Sequence, residues 1–234
     1  MKTIGVLGGM SWESTLPYYR IINETVRERL GGLHSARLLV YSVDFYEVEQ
    51  LQRAGDWAAA GALLARAARA LEGAGAELLV LATNTMHCVA AAIEQAVQIP
   101  LLHIADATGA AVTEAGFHTV GVLGTRFTLE QDFYIGRLRT RHRLRVLIPA
   151  ADERAMLHRI IFEELCQGQL RASSRRTYRQ IMQNLVEAGA EAIVLACTEI
   201  GLLVGPGDAP VALFDTAAIH ARQAALRALA PGNV

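Results

Sequence analysis

The chain has 234 residues, 52% of them hydrophobic, and a formal net charge of −1 at pH 7. A charge so close to zero excludes a global attraction to nucleic acid or an anionic membrane, and no apolar run is long enough to span a bilayer. Three cysteines (Cys88, Cys166 and Cys197) without paired spacing, and no signal peptide ahead of the first strand, point to a reducing cytoplasm rather than a disulfide framework.

Strand-length apolar runs are predicted at residues 3–7, 36–42, 78–82, 101–104, 119–123, 145–148, 192–196 and 211–214. Helix-length patterns such as 57–71 and 178–188 lie between them. Such alternation predicts an α/β fold with mostly parallel sheets and helices on both faces. Leu7-Gly-Gly-Met10 after the first strand reads as a tight turn with close backbone access. It lacks G-x-G-x-x-G spacing, and no phosphate-loop Gly-Lys-Ser/Thr occurs in the chain. The basic stretch 137–145 reads as a solvated helix end running into a strand. Lys2 is the sole lysine, so a pyridoxal Schiff base is excluded and no cofactor is expected.

The chain is written twice. Thr3-Ile-Gly-Val-Leu-Gly-Gly9 reappears as Thr119-Val-Gly-Val-Leu-Gly-Thr125. Ala74-Gly-Ala-Glu-Leu-Leu-Val-Leu-Ala-Thr-Asn-Thr85 reappears as Ala188-Gly-Ala-Glu-Ala-Ile-Val-Leu-Ala-Cys-Thr-Glu199, at nearly the same offset, and 100–106 echoes 210–215 more faintly. Two copies, each a full βα set, predict two pseudo-symmetric Rossmann-like lobes with the active site in a cleft between them. Residues 1–109 plus 208–234 form the first lobe and 110–207 the second. Asp215 or Thr216 caps a final helix ending before Pro231-Gly232, and the last strand and helix are expected to cross back onto the first lobe.

Ligands of open α/β sheets bind beyond the carboxyl ends of the strands. Thr83 and Cys197 are the first residues past equivalent strands. Asn84 then matches Thr198, and Thr85 matches Glu199. Two acid/base groups at matched positions suit inversion of an α-carbon, with one removing the proton and the other returning it. A thiol pKa of about 8.5 falls at helix N-termini, which brings thiolate within reach at neutral pH. Asn84, Thr85 and Thr198 are the donors expected at the substrate carboxylate. Thr125, closing the repeated first-strand block, and Glu199 join them as substrate contacts. Cys88 and Cys166 read as packing, and His87 as either an orienting group or a satisfied polar contact.

Ile4-Gly-Val-Leu-Gly-Gly-Met-Ser-Trp-Glu-Ser-Thr15, Ala82-Thr-Asn-Thr-Met-His87 and Ala196-Cys-Thr-Glu-Ile200 resemble the signature blocks of the aspartate/glutamate racemase family, with His103-Ile-Ala-Asp-Ala-Thr108 and Phe214-Asp-Thr-Ala-Ala218 extending the likeness along the whole chain. The Thr83/Cys197 pair resembles the broad-specificity amino-acid racemase branch. The resemblance implies a pyridoxal-independent two-base racemase acting on a small amino acid, commonly as a homodimer, with no metal, nucleic-acid or membrane partner. It also implies Met10 and Gln52 as substrate contacts. Where aspartate-selective relatives place a lysine, 160–168 offers Glu163 and Glu164, which leaves Arg53 and Arg126 as candidate partners for an acidic side chain. Uncharged polar substrates such as homoserine are therefore open. A decarboxylase or isomerase with one cysteine, and a non-catalytic small-carboxylate binder, are the rival expectations.

Overall fold

The computed structural model describes residues 1–230. All eight expected strands form, four in each of two wholly parallel sheets, and the chain divides into two compact units.

The first unit comprises Met1–His103 and the chain from His220 onward. It runs β1 (Ile4–Gly8), α1 (Trp12–Leu30), β2 (Leu38–Ser42), α2 (Phe45–Ala54), α3 (Trp57–Gly73), β3 (Leu78–Leu81), a 3-10 turn Thr85–Val89, α4 (Ala90–Glu94) and β4 (Leu101–Leu102). Sheet order is β2-β1-β3-β4. Every residue of the inner strands β1 and β3 is buried, which explains their unbroken apolar runs: helices cover both faces. α1 buries Ser14, Tyr18, Ile22 and Val26 at helical spacing. Asp44 and Asp56 cap α2 and α3 by accepting from Tyr46 N and Ala59 N. Gly9 has a φ of 92°, and a Cβ there would strike the Val43 carbonyl, so the turn after β1 admits only glycine. Its N–H donates to Thr15 Oγ1 at 2.9 Å.

The second unit is Ile104–Ile219. It runs α5 (Ile104–Glu114), β5 (Thr119–Gly124), α6 (Arg126–Glu130), α7 (Asp132–His142), β6 (Arg145–Leu147), α8 (Ala151–Glu163), a 3-10 turn Leu165–Gln167, α9 (Ala172–Glu187), β7 (Ala192–Ala196), α10 (Ile200–Leu203), a 3-10 turn Pro206–Asp208 and β8 (Ala212–Asp215), and α11 (Thr216–Leu229) follows. Sheet order is β6-β5-β7-β8, the same plan as the first. The basic stretch is the end of α7 and the start of β6, and Arg137 forms a two-pronged pair with Asp106 of α5. Cys166 packs at the edge of this unit's core, and Cys88 at the edge of the first unit's.

The repeat holds at the level of single hydrogen bonds. Gly75 and Gly189 turn the chain with φ of 98° and 100°. Glu77 and Glu191 then return a carboxylate oxygen to the N–H of Thr3 and Thr119, each at 2.8 Å. The backbone N–H groups of the same two glutamates donate to the carbonyls of Thr3 and Thr119, at 2.8 and 2.9 Å.

Two expectations about the lobes are corrected. The last strand does not cross back: β8 pairs with β7 in the second sheet, Ile193 opposite Leu213 and Val194 opposite Phe214. As the counterpart of β4, it completes its own sheet, and only the helix after it moves on. The first division falls before Ile104, not after residue 109, because Ile104, Ala105 and Val112 of α5 pack with Tyr134, Ile135 and Leu138 of α7. The chain rejoins the first unit at His220 rather than 208. Asp215 caps α11, accepting from Ala217 N at 2.9 Å and Ala218 N at 3.2 Å. Pro231-Gly232, the expected stop, lies outside the described residues. No helix among the described residues is long and apolar enough to cross a membrane.

Candidate active site

In the first unit the residues past β3 are buried polar side chains. Thr83, 5% exposed, follows β3. Its N–H donates to the Leu81 carbonyl at 2.9 Å, and its own carbonyl lies 2.7 Å from His87 Nδ1. A carbonyl only accepts, so His87 carries its proton on Nδ1 there. The His87 ring sits 4.4 Å from that of His103 and 6.0 Å from that of His220. His220 is wholly buried: Nε2 donates to the Leu102 carbonyl at 2.8 Å, so Nδ1 accepts from the Tyr18 hydroxyl at 2.9 Å. Burial holds the His220 pKa down at about 4, which keeps the ring neutral at physiological pH.

Asn84 and Thr85 are buried beside Thr83, at the start of the 3-10 turn. Met10 is buried with Leu7, Val48 and Met86 in one apolar cluster. Gln52 is 4% exposed; its Nε2 reaches Met86 Sδ at 3.0 Å, and its Oε1 has no hydrogen-bond partner among the described residues. A buried amide that donates to a thioether and leaves its oxygen unmatched is a costly arrangement that a polar ligand would relieve.

In the second unit Cys197 follows β7, with Thr198 and Glu199 next to it and all three buried. The Cys197 Sγ–H donates to Glu199 Oε2 at 3.0 Å, and the Thr198 hydroxyl donates to the same oxygen at 2.9 Å. The wholly buried Tyr178 lies in the same cluster, and its hydroxyl has no hydrogen-bond partner among the described residues. Thr125 caps α6: its Oγ1 accepts from Thr128 N at 3.3 Å.

The expectation of a lowered Cys197 pKa is corrected. Desolvation pushes this thiol well above its ordinary value, and the Glu199 carboxylate adds to the rise. The helix after it, α10, spans only one turn, too little dipole to offset a carboxylate at hydrogen-bond distance. Cys197 therefore rests as a thiol with a proton acceptor in place. Burial also raises Cys88, to about 12, in keeping with a packing role.

Of the residues expected at the site, Thr83, Asn84, Thr85, Met10 and Gln52 thus fall in one unit and Thr125, Cys197, Thr198 and Glu199 in the other. Arg53 and Arg126 lie exposed and paired along their helices to Glu49 and Glu130. His103, His220, Tyr18 and Tyr178 were missed as site residues. The flanking apolar runs Leu101-Leu102 and Ala217-Ala218-Ile219 were the available signal that the two histidines are interior. Among the described residues no group of three or more His, Cys, Asp or Glu side chains could hold a metal ion.

Comparison with known proteins adds a second line of support. A crystal structure of a candidate Asp/Glu racemase from Yersinia pestis has 53% sequence identity and a TM-score of 0.90, covering 98% of this chain and 100% of that one. The structure of an aspartate racemase homologue from Pyrococcus horikoshii OT3 has 38% identity and a TM-score of 0.83, covering 97% and 99%. The broad specificity amino-acid racemase RacX of Bacillus subtilis (strain 168) is 23% identical over 94% of this chain and 95% of its own length. The family described as Asp/Glu/Hydantoin racemase matches residues 7–224. The chain belongs to the Asp/Glu/hydantoin racemase family and is an isomerase of the racemase class.

Proposed function

We propose that the chain interconverts L- and D-amino acids, with Cys197 and Thr83 as the two acid/base groups acting on one α-carbon. The observation that carries the reading is positional: Cys197 is the first residue after β7 and Thr83 the second after β3, the equivalent inner strands of two sheets built in the same order. In one direction Glu199 accepts the Cys197 proton, and the thiolate then removes the α-proton of the substrate. Donors among Asn84, Thr85 and Thr198 hold the carboxylate as it takes on enolate character. The Thr83 hydroxyl delivers a proton to the opposite face and is reprotonated from water, and the hydroxide so formed takes back the proton that Glu199 holds, which restores the starting state. A hydroxyl is a far weaker acid than a thiol, so abstraction by Cys197 is the faster direction; equal turnover from the two enantiomers under matched conditions contradicts this.

The substrate is a small amino acid: aspartate or glutamate, or an uncharged polar one such as homoserine. An acidic side chain has to compete with Glu49 for Arg53 or with Glu130 for Arg126, which favours the broader range. The working form is a homodimer.

The test is incubation with individual L-amino acids in heavy water, following α-deuterium and chirality. A racemase labels the α-carbon and makes the enantiomer. Release of carbon dioxide, or neither signal with any amino acid, overturns the reading. Thr83→Ala is expected to cut turnover about 100-fold, with Thr83→Cys restoring it; near-normal activity in Thr83→Ala removes Thr83 from the mechanism.

A further inference from the structure

Among the described residues, eight of the eleven large hydrophobic side chains left exposed fall between residues 12 and 46. The matching stretch of the second unit, residues 126–150, contributes none. The fold itself therefore does not require such a surface; this edge of the first unit has acquired it.

The surface has an order. Trp12, Leu16 and Tyr19 are 61%, 59% and 58% exposed at spacings of four and three on α1, one stripe on the face opposite Tyr18, Ile22 and Val26. Asn23 continues the stripe by one turn. There a groove of about 490 Å³ opens, lined by Tyr19, Asn23 and Arg27 on one side and Leu33, which is fully exposed, on the other. β2, the edge strand of the sheet, adds Val40 and Tyr41. An uncovered apolar edge strand is a liability unless something covers it.

We propose that this α1–β2 face is the interface with a second copy of the chain, formed by an antiparallel α1–α1 pair about a twofold axis passing between Leu16 and Tyr19. The inference rests on the homodimer reading above and names its surface. Positions 12, 16, 19 and 23 are symmetric about their midpoint. A twofold there sets Leu16 against the copy's Tyr19 and Trp12 against the copy's Asn23, at the groove mouth. Knob and groove lie on one helix, which is the self-complementarity an isologous contact needs. The antiparallel arrangement also opposes the two helix dipoles. The six apolar side chains Trp12, Leu16, Tyr19, Leu33, Val40 and Tyr41 leave on the order of 800 Å² open, the share each partner gives to a standard stable interface. Three of the six, Trp12, Tyr19 and Tyr41, are aromatic, the residue type that anchors such contacts.

Sedimentation of the full chain across a micromolar range tests both levels. The expected result is a wild-type dimer, a Leu16→Glu/Tyr19→Glu variant weakened at least 100-fold with unchanged circular dichroism, and a control Leu170→Glu that remains dimeric. Leu170 is as exposed, but lies in the second unit. A monomeric wild type overturns the homodimer and the surface together. A dimer that persists in the double glutamate variant overturns the surface alone. Independently of any folding defect in that variant, Leu16→Cys/Tyr19→Cys should give an intermolecular disulfide under mild oxidation, and its failure to do so in a dimer also overturns the proposal.

Discussion

In the first unit the site residue past the inner strand is a threonine whose carbonyl accepts from His87; in the second it is a cysteine whose thiol donates to a carboxylate. Around these two points the backbone barely differs. Gly75 and Gly189 make the same turn, and Glu77 and Glu191 staple the same strand starts. The contrast teaches that the duplicated part is a scaffold of strand order and turn geometry, while the side chains at the strand ends have diverged. Like positions with unlike chemistry are what the proposed reaction asks of its two acid/base groups.

The comparison can be broken at its chemical end first. Cys197→Ser should lower turnover about 1,000-fold, since serine keeps the shape but loses the more acidic proton; a chiral assay showing less than a tenfold loss would return Cys197 to a packing role. Next in size is the buried histidine of the first unit. The His220 pKa is about 4 in the folded chain and about 6.5 unfolded, so the unfolded chain binds the extra proton between those values. The corresponding stability, on the order of 3 kcal/mol, is fully present above pH 6.5 and is lost as pH falls toward 4. Urea unfolding across that window should slope steeply in wild type and less in His220→Leu, and equal slopes would refute it. Glu199→Gln sharpens the second unit's side. Its amide still accepts a hydrogen bond but cannot take the proton, so kcat should fall about 30-fold with KM little changed. A raised KM at unchanged kcat would make Glu199 a substrate contact instead. The smallest effect concerns the scaffold: Glu77→Gln and Glu191→Gln should each lower Tm slightly and by similar amounts, and clearly unequal losses would count against structural equivalence of the two staples.

Much of this was legible in the sequence for identifiable reasons. Inner strands covered on both faces read as unbroken apolar runs, so Leu78–Leu81 and Ala192–Ala196 stood out, and the repeat located Thr83 and Cys197 just past them. Pairing was less legible. The apolar character of β8 says that it joins a sheet, not which strand lies beside it, and Ile104 reads as strand until α5 claims it. The thiol's state was misread because a strand-to-helix junction suggests a helix dipole, whereas a one-turn helix and a carboxylate two residues away decide the local field. The α1 stripe was hidden by ambiguity, since Trp12, Leu16 and Tyr19 carry the same spacing as a core-facing set. The histidine cluster was hidden by distance along the chain, with members at 87, 103 and 220.

One feature of the connectivity bears on how the protein is made. α11 leaves the second sheet and packs on the first unit, where His220 fits against Tyr18 and Leu102 and Ala228 accepts a hydrogen bond from Lys2. On the ribosome, residues 1–103 emerge before the helix that closes them, which follows only after the whole second sheet has been made. The first unit must wait for residues 220–229, and a translation product that stops at residue 215 has its second sheet complete and its first unit still open to proteases and chaperones.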